Sequence, residues 1–173
     1  SNTEIATQVA LACLENKVGL LVHVSSVATL GSPKPGCDEV TELCELTSLK
    51  ERSPYSVSKF FAENAVRRAA LRGLRTVIVN PSVIIGEGDW NRGSGLLIST
   101  LVSKGTPAYP SGVMGYVDVR DVVQAMLLLA VCDGAIGKRF ILSGGNLSYK
   151  ELFTMIAKVF GRRPPLILSL IHI

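Results

Sequence analysis

Two short and almost uninterrupted runs of apolar residues limit the folds that are open to this chain. They cover residues 18–26 and 74–80, and a helical pattern lies between them over residues 53–73. An apolar run without polar alternation is typical of a strand that is buried on both faces. Strands that alternate with helices form βαβ units. The sequence therefore predicts an α/β fold with a parallel sheet and helices on both of its faces.

The helix between the two runs carries a tyrosine and a lysine on one face. Ser53 is predicted to cap its N-terminus, Pro54 suits its first position, and Gly73 is predicted to end it. Tyr55 and Lys59 are four residues apart and therefore lie one above the other. An ammonium group close to a phenol favours the phenolate form, which suits proton exchange with a substrate oxygen. Two surface residues of an amphipathic helix would show the same spacing. The neighbouring residues must therefore distinguish a catalytic pair from two surface residues.

Polar residues stand where both predicted strands end. Ser25 and Ser26 close the first run, and Asn80 closes the second. In open α/β sheets, ligands bind at the carboxyl ends of the strands. We therefore expect a binding site at this edge, with a serine hydroxyl as a candidate hydrogen-bond donor to a substrate. Capping of the following loop explains the two serines equally well when they are considered alone.

Composition and charge exclude several classes of function. The 173 residues carry a net charge of +4, and the basic residues are scattered, which argues against a nucleic-acid partner. The four cysteines and two histidines lack the spacing of a metal site. The longest apolar run, residues 125–132, is too short to cross a membrane. Without a signal peptide we expect a cytoplasmic protein with reduced thiols, although Cys37 and Cys44 are close enough in sequence for a disulfide.

The remaining patterns predict four further helices, and strands near residues 107–117 and 138–142. The helices are expected over residues 1–16, 95–104, 119–131 and 148–161. Ser1 with Glu4 should form a capping box, and Ser148 should cap the last helix. The inward faces are predicted to consist of Ile5, Val9, Ala12 and Cys13 in the first helix, and of Leu152, Phe153, Ile156 and Val159 in the last.

The connection over residues 27–52 is long for a segment without secondary structure, which suggests a functional segment that covers a site. Its acidic residues are expected to be solvated rather than paired as catalytic carboxylates; they are Asp38, Glu39, Glu42 and Glu45. His23 and Cys132 lie in apolar patterns and are expected in the core. The His23 ring should then be hydrogen-bonded.

Four motifs together resemble those of the extended short-chain dehydrogenase/reductases, in the NAD(P)-dependent epimerase/dehydratase group. They are Leu21-Val22-His23-Val24-Ser25-Ser26, Tyr55-Ser56-Val57-Ser58-Lys59, Asn80-Pro81-Ser82-Val83-Ile84-Ile85-Gly86 and Tyr116-Val117-Asp118-Val119-Arg120-Asp121-Val122. Their order and spacing agree with this group over residues 2–165. The segments Gly86-Glu87-Gly88-Asp89-Trp90 and Asn146-Leu147-Ser148-Tyr149 most resemble dihydroflavonol-4-reductase-like and 3β-hydroxysteroid-dehydrogenase-like members.

The resemblance implies a Rossmann-like fold and a role for each matched residue. Tyr55 corresponds to the catalytic acid/base, and Lys59 to the lysine that holds the nicotinamide ribose. Ser26 corresponds to the serine that binds the substrate oxygen, with Ser25 as a less favoured substitute. Implied cofactor contacts come from Tyr55, Lys59, Pro81, Ser82, Val83 and Ser94, and implied substrate contacts from Ser26, Thr29 and Trp90.

The sequence departs from the family pattern at its beginning. It contains no Gly-x-x-Gly-x-x-Gly loop, which in the family seats the cofactor pyrophosphate at a helix N-terminus. The chain therefore resembles a fragment that lacks the first βαβ units. Residues 1–86 correspond to the C-terminal half of the dinucleotide-binding domain, and residues 87–167 to a small substrate-binding portion interleaved with the last core strands. Residues 168–173 match the translation of a sequencing adaptor.

Three functions are compatible with these residues. The first is an NAD- or NADP-dependent reductase that acts on a ketone or secondary alcohol of a small molecule. The second is a nucleotide-sugar epimerase or dehydratase, which uses the same serine, tyrosine and lysine. The third is a non-catalytic dinucleotide-binding relative, against which the intact Ser26, Tyr55 and Lys59 argue. The resemblance also implies a homodimer for the full-length protein, and an isolated fragment that binds its cofactor poorly and turns over little.

Overall fold

The structure is a computed structural model that describes residues 1–169 except 34, 89, 91–92 and 106–107. The motif residue Asp89 and residues 170–173 of the proposed adaptor sequence lie outside the described residues. The chain divides into two compact units, Ser1–Pro81 with Val123–Leu142 and Ser82–Val122 with Ser143–Ile173.

The described residues form five α-helices and eight strands. The helices are α1 (Asn2–Glu15), α2 (Pro54–Leu71), α3 (Gly93–Lys104), α4 (Val119–Ala130) and α5 (Tyr149–Val159). The strands are β1 (Leu21–Val24), β2 (Thr76–Pro81), β3 (Val83–Ile85), β4 (Ala108–Pro110), β5 (Val113–Asp118), β6 (Arg139–Leu142), β7 (Gly145–Ser148) and β8 (Ile167–Ser169). Short 3-10 helices occur at Val27–Thr29 and Asp133–Ala135.

A parallel sheet with the strand order β1-β2-β6 forms the centre of the first unit. Strand β2 lies in the middle and all its residues are buried, as its apolar run predicts. The burial predicted for β1 is wrong, because its four residues are only half-buried. Among the described strands β1 pairs with β2 alone, so one of its edges stays open. The predicted α/β fold with a parallel sheet is confirmed.

Helix α2 begins and ends as its sequence predicts. The Ser53 hydroxyl accepts a hydrogen bond from the Ser56 backbone N–H at 3.2 Å, and Pro54 occupies the first turn. At the other end Gly73 has a φ of 102°, a left-handed conformation that glycine adopts without steric cost. Tyr55 and Lys59 therefore lie on successive turns of a helix whose start is fixed by its cap.

Helix α1 has the predicted capping box of Ser1 and Glu4. Its predicted inward face is confirmed at Cys13, which packs against the core, but not at the larger apolar residues. Ile5 is 64% exposed. The buried residues are Ala6 and Ala10, which pack against α2 and the sheet together with Ala62, Val66, Ala69, Leu74 and Ile78. Small side chains allow two helices to approach closely, so the alanines rather than the larger apolar residues face the partner helix.

The described residues of the second unit form two small sheets. In the first, β5 pairs in parallel with β3 and antiparallel with β7, and in the second β4 pairs in parallel with β8. Strand β8 includes Leu168 and Ser169, so part of the proposed adaptor sequence is paired with the chain. The adaptor origin of residues 168–173 stays a prediction.

Helix α5 has the predicted cap, because Ser148 and Glu151 form a capping box. Its buried residues are Leu152, Phe153 and Ala157, whereas Val159 is exposed and its predicted inward position is wrong. Val159 is the last residue of α5 and is 77% exposed, whereas Ala157 in the same turn is buried.

The cysteines differ from expectation in one case. All four are free thiols, so Cys37 and Cys44 are not joined. Cys132 is exposed rather than in the core, because it follows the end of α4. Among the described helices, none has the length and apolar character needed to span a bilayer.

Candidate catalytic site at the carboxyl end of strand β1

Tyr55 and Lys59 differ in exposure and in their contacts. Tyr55 lies in the first turn of α2 and is 53% exposed. Lys59 is half-buried, and its ammonium group donates a hydrogen bond of 3.2 Å to the backbone carbonyl of Val24. Val24 is the last residue of β1. The lysine charge is thereby fixed at the carboxyl end of a parallel strand, where ligands bind in α/β folds.

The two serines that follow β1 have different environments. Ser25 is buried, and its hydroxyl donates to Glu63 Oε2 at 2.5 Å. Ser26 is half-buried and caps the short 3-10 helix, since its hydroxyl oxygen accepts from the Ala28 backbone N–H at 3.2 Å. A hydroxyl that accepts one hydrogen bond still has a proton to donate. Ser26 can therefore offer its O–H to a ligand, whereas the Ser25 proton is already used.

Glu63 is a buried carboxylate at the centre of a polar cluster that the sequence analysis did not identify. Its Oε2 accepts from the Ser25 hydroxyl, from the Thr29 hydroxyl at 2.8 Å and from Asn80 Nδ2 at 2.9 Å. Its Oε1 accepts from Arg67 at 3.0 Å and from Arg139 at 3.3 Å. Glu63 follows Lys59 by four residues, and this spacing was the signal that could have placed it on the same helix face.

The pKa of Glu63 reflects a balance of burial against hydrogen bonding. Burial raises the pKa of a carboxyl group, but the hydrogen bonds from Ser25, Thr29 and Asn80, with the charge of Arg67, outweigh it and hold the pKa of Glu63 below its ordinary value. The group is therefore ionised at neutral pH. A buried charge of this kind is stable only when it is fully paired.

Asn80 joins this cluster to the segment that carries Ser26. Its Nδ2 donates to the Ser26 backbone carbonyl and to the Thr29 hydroxyl, each at 3.0 Å, as well as to Glu63. Asn80 Oδ1 is buried and has no hydrogen-bond partner among the described residues. The sequence analysis placed Asn80 at a strand end, but its contacts depend on residues distant in sequence.

Thr29, one of the implied substrate contacts, is 1% exposed. Its hydroxyl lies 2.8 Å from Glu63 Oε2 and 2.9 Å from the Ser26 carbonyl oxygen, which share its single proton, and it accepts from Asn80 Nδ2. This environment argues against a direct contact between Thr29 and a substrate.

The other implied ligand contacts have varied exposure. Pro81 ends β2 and is buried, Ser82 is half-buried and Val83 is exposed at the start of β3. In the second unit, the Ser94 hydroxyl donates to the Ile84 carbonyl, and Trp90 is half-exposed. The structure thus gathers Ser26 and Lys59 at the end of β1, while Ser82, Val83, Ser94 and Trp90 belong to the second unit.

The expectation of solvated acidic residues in the long connection is wrong for Glu42, whose side chain is half-buried and hydrogen-bonded to the backbone. It holds for Glu45, whose side chain is 62% exposed although it also forms ion pairs. Glu42 accepts a hydrogen bond from the Ile141 backbone N–H at 2.9 Å, and its carbonyl accepts from Arg139 at 2.7 Å. Glu45 pairs with Arg139 at 3.0 Å and with Arg67 at 3.6 Å. The connection is therefore held against β6 and α2.

His23 lies beside Lys59 along a cavity of about 200 Å³ between α1, β1 and α2. Its Nε2 atom is buried and has no hydrogen-bond partner in the described part of the chain, so the expectation of a hydrogen-bonded ring is wrong for this nitrogen. Burial, followed by the charge of Lys59, lowers the pKa of His23, although Glu63 acts in the opposite direction.

The fold and the site define an α/β protein with a tyrosine–lysine pair on the helix between two parallel strands, at whose carboxyl ends polar residues gather. The family model described as the NAD dependent epimerase/dehydratase family matches residues 1–141. The chain belongs to this family, and the resemblance inferred from its motifs is confirmed.

Individual relatives agree with this assignment. A candidate dihydroflavonol 4-reductase from Synechocystis sp. is 33% identical over 168 residues, which cover 93% of this chain and 48% of the relative. Cinnamoyl-CoA reductase 1 from Oryza sativa subsp. japonica is 34% identical over 131 residues, which cover 71% of this chain and 36% of the relative. The crystal structure of a nucleoside-diphosphate-sugar epimerase from Pseudomonas aeruginosa has a TM-score of 0.82 at 27% identity, and the match covers 93% of this chain and 53% of that chain. The chain spans about half the length of the first of these curated relatives.

Proposed function

We propose that this chain carries the catalytic residues of an NAD(P)-dependent reductase, which acts on a ketone or secondary alcohol of a small molecule. The observation that carries the proposal is the hydrogen bond from Lys59 to Val24. It fixes the lysine at the end of β1, one helical turn from the exposed Tyr55. Val24, which accepts this hydrogen bond, directly precedes Ser25 and Ser26 in the sequence. The relatives named as reductases support this choice over other reactions of the family.

The residues present fit one end of a nicotinamide dinucleotide. Lys59 offers an ammonium group at the carboxyl end of β1, and Pro81 ends the neighbouring strand β2. Lys59 would bind the nicotinamide ribose, and Pro81 would lie against the ring. Ser82 and Val83, which follow Pro81 in the sequence, are further candidate contacts of the ring. Ser94 would contact the phosphates. The sequence has no Gly-x-x-Gly-x-x-Gly loop, so we expect the isolated chain to bind the dinucleotide weakly.

The side chains at the site can manage the charge that develops on a carbonyl oxygen. The bound dinucleotide supplies or accepts the hydride at the substrate carbon. In the reducing direction Tyr55 gives its phenolic proton to the carbonyl oxygen, while Ser26 donates a hydrogen bond to the same oxygen. Lys59 stabilises the phenolate that remains on Tyr55. The product is an alcohol with one new C–H bond and one new O–H bond.

An epimerase or dehydratase is the second candidate function. The description of the matching family and the solved epimerase from Pseudomonas aeruginosa favour it. Such an enzyme returns the hydride to its substrate, so the dinucleotide shows no net change. The two candidates therefore differ in the consumption of reduced cofactor.

The test follows absorbance of NADH or NADPH with the purified chain and a panel of aromatic and aliphatic carbonyl compounds. We expect slow consumption of reduced cofactor that requires a carbonyl substrate. Tyr55→Phe should abolish it, because the proton donor is lost. Tyr109→Phe is the matched control, since Tyr109 lies on β4 in the second unit.

Each result has a defined meaning. Consumption that Tyr55→Phe removes and Tyr109→Phe retains supports the reductase. Conversion of a nucleotide sugar at constant NADH supports the epimerase or dehydratase. Dinucleotide binding without either reaction, unchanged by Tyr55→Phe, would replace both with the non-catalytic relative.

A further inference from the structure

Glu63 continues the helix face that carries the proposed catalytic pair. Tyr55, Lys59 and Glu63 follow one another at intervals of four residues on α2. Exposure decreases along this face, from the exposed Tyr55 through the half-buried Lys59 to Glu63, which is 3% exposed. The proposed reaction makes no use of Glu63, although its carboxylate is the most heavily hydrogen-bonded group of the first unit among the described residues.

The two carboxylate oxygens of Glu63 have separate partners. Oε1 faces Arg67 and Arg139, and these guanidinium groups compensate the cost of a buried charge. Oε2 faces three neutral donors from the strand ends, Ser25, Thr29 and Asn80. The arginines therefore hold the carboxylate, and the carboxylate holds the segment after β1.

Asn80 carries this restraint to Ser26. Its Nδ2 contacts Glu63 Oε2 and the Ser26 carbonyl at once. The Ser26 carbonyl also accepts from the Thr29 backbone N–H at 3.1 Å, and Thr29 is bound to Glu63 through its hydroxyl. Two routes thus connect the carboxylate with the backbone of Ser26.

We propose that Glu63 is a positioning residue that fixes the conformation of Ser26 for the substrate oxygen, in addition to stabilising the fold. The proposal rests on the function proposed above, because it assigns Ser26 the contact with that oxygen. Ser25 acts in it as a donor to Glu63 and not as a substitute for Ser26. A residue with a purely structural role would change the stability of the whole unit without a selective effect on Ser26.

The Glu63→Gln variant separates these roles. The guanidinium groups of Arg67 and Arg139 require an oxygen, so the glutamine oxygen should face them and its NH2 group should face Asn80. Asn80 Nδ2 cannot accept a hydrogen bond, so Asn80 must move or turn its amide. In either case the Ser26 carbonyl loses the hydrogen bond from Asn80 and keeps only its contacts with Thr29.

Amide hydrogen exchange of the whole chain gives a direct measure of the restraint. The N–H groups of Ala28 and Thr29 both donate to Ser26, and the N–H of Ile78 donates to the Lys138 carbonyl in the core sheet as a reference. In Glu63→Gln we expect exchange at Ala28 and Thr29 to become at least about tenfold faster relative to Ile78, as the loss of one hydrogen bond to a charged group implies.

Glu45→Gln is the matched control. The Glu45 side chain shares Arg67 and Arg139 with Glu63, but its carboxylate is bound to neither Ser25, Thr29 nor Asn80. The Glu45→Gln variant should leave the amide exchange rates of Ala28 and Thr29 unchanged relative to that of Ile78. Equal effects of both variants, or uniform acceleration at all three amides in Glu63→Gln, would overturn the proposal.

Two further measurements keep the test decisive. If Glu63→Gln fails to fold, Ser25→Ala removes one donor to Oε2 and should accelerate Ala28 and Thr29 selectively; uniform acceleration contradicts the proposal. In the reduction assay, Glu63→Gln should lower kcat per folded molecule with KM for the dinucleotide unchanged, and Glu45→Gln should alter neither. A chain without turnover would count against the proposed reaction, whereas the exchange experiment would still decide the position of Ser26.

Discussion

The Ser56 hydroxyl donates a hydrogen bond of 2.6 Å to the backbone carbonyl of Ala28. Ser56 is buried in the first turn of α2, next to Tyr55, and Ala28 lies in the 3-10 helix that Ser26 caps. This contact joins the helix of the proposed acid/base to the segment of the proposed substrate-binding serine.

Ser56→Ala should destabilise the first unit. The change leaves the Ala28 carbonyl without the Ser56 donor, and a buried polar group without a partner costs about 1–3 kcal/mol. Denaturant unfolding measures the loss. Ser58→Ala, two residues further along α2, lies outside this contact and serves as the control. A loss of stability in Ser58→Ala as large as in Ser56→Ala would show that the hydrogen bond is not responsible.

Gly31→Ala should disturb the long connection, because the close approach of two backbone segments leaves no space for a side chain. A Cβ atom at Gly31 would lie 2.2 Å from the Glu45 carbonyl oxygen, and the Gly31 N–H donates to the Cys44 carbonyl at 2.9 Å. We expect a loss of about 1–3 kcal/mol, as in other overpacked sites, measured by thermal unfolding.

The control for this substitution is Gly19→Ala. A Cβ atom at Gly19 meets no atom of the described chain within 4 Å, so its stability should change by less than about 0.5 kcal/mol. If Gly31→Ala unfolded at the same temperature as Gly19→Ala, the close contact with Glu45 would be refuted.

The corrected inward face of α1 predicts opposite effects for adjacent residues. Ala10 is 2% exposed and packs with Ala69 and Leu74, so Ala10→Leu should force the helices apart and cost about 1–3 kcal/mol. Val9 is exposed, so Val9→Leu should change stability by less than about 0.5 kcal/mol. Urea unfolding measures the loss of stability in each variant. If Val9 faced inward, as the sequence pattern predicts, Val9→Leu would lose more stability than Ala10→Leu.

The lowered pKa of His23 predicts a pH dependence of stability. Burial and the nearby Lys59 hold this pKa below its ordinary value of 6.5, against the opposing charge of Glu63. As the pH falls, His23 is therefore protonated near pH 6.5 in the unfolded chain, and only at a lower pH in the folded chain. Stability should accordingly fall as the pH drops below 6.5, towards the lower pKa of the folded state.

His23→Leu should remove this part of the pH dependence. The substitution should cost little at neutral pH, because the buried Nε2 makes no hydrogen bond to the described residues. Urea unfolding at about pH 7.5 and about pH 5.5 tests the slope. An equally steep loss of stability in His23→Leu and in the unmodified chain would assign the pH dependence to other groups.

The sequence by itself determined the elements whose signals are local. The apolar run of β2, the Ser53 cap, Pro54 and the Gly73 end were sufficient to place α2 between two parallel strands. Caps and turn residues act through their own neighbours, and a continuous apolar run needs no partner to be recognised. The family could be inferred because its motifs are short and contiguous.

Only the tertiary structure decided which polar groups meet. Glu63 and Arg139 are 76 residues apart in sequence, and no local pattern links them. A buried charge is stable only when it is paired, and the partners of Glu63 come partly from other elements. Its role in the polar cluster therefore depends on the packing of α2, β2 and β6 together. The same packing turns Ser25 inward to Glu63 and leaves Ser26 half-exposed, a difference that two adjacent serines in a sequence do not reveal.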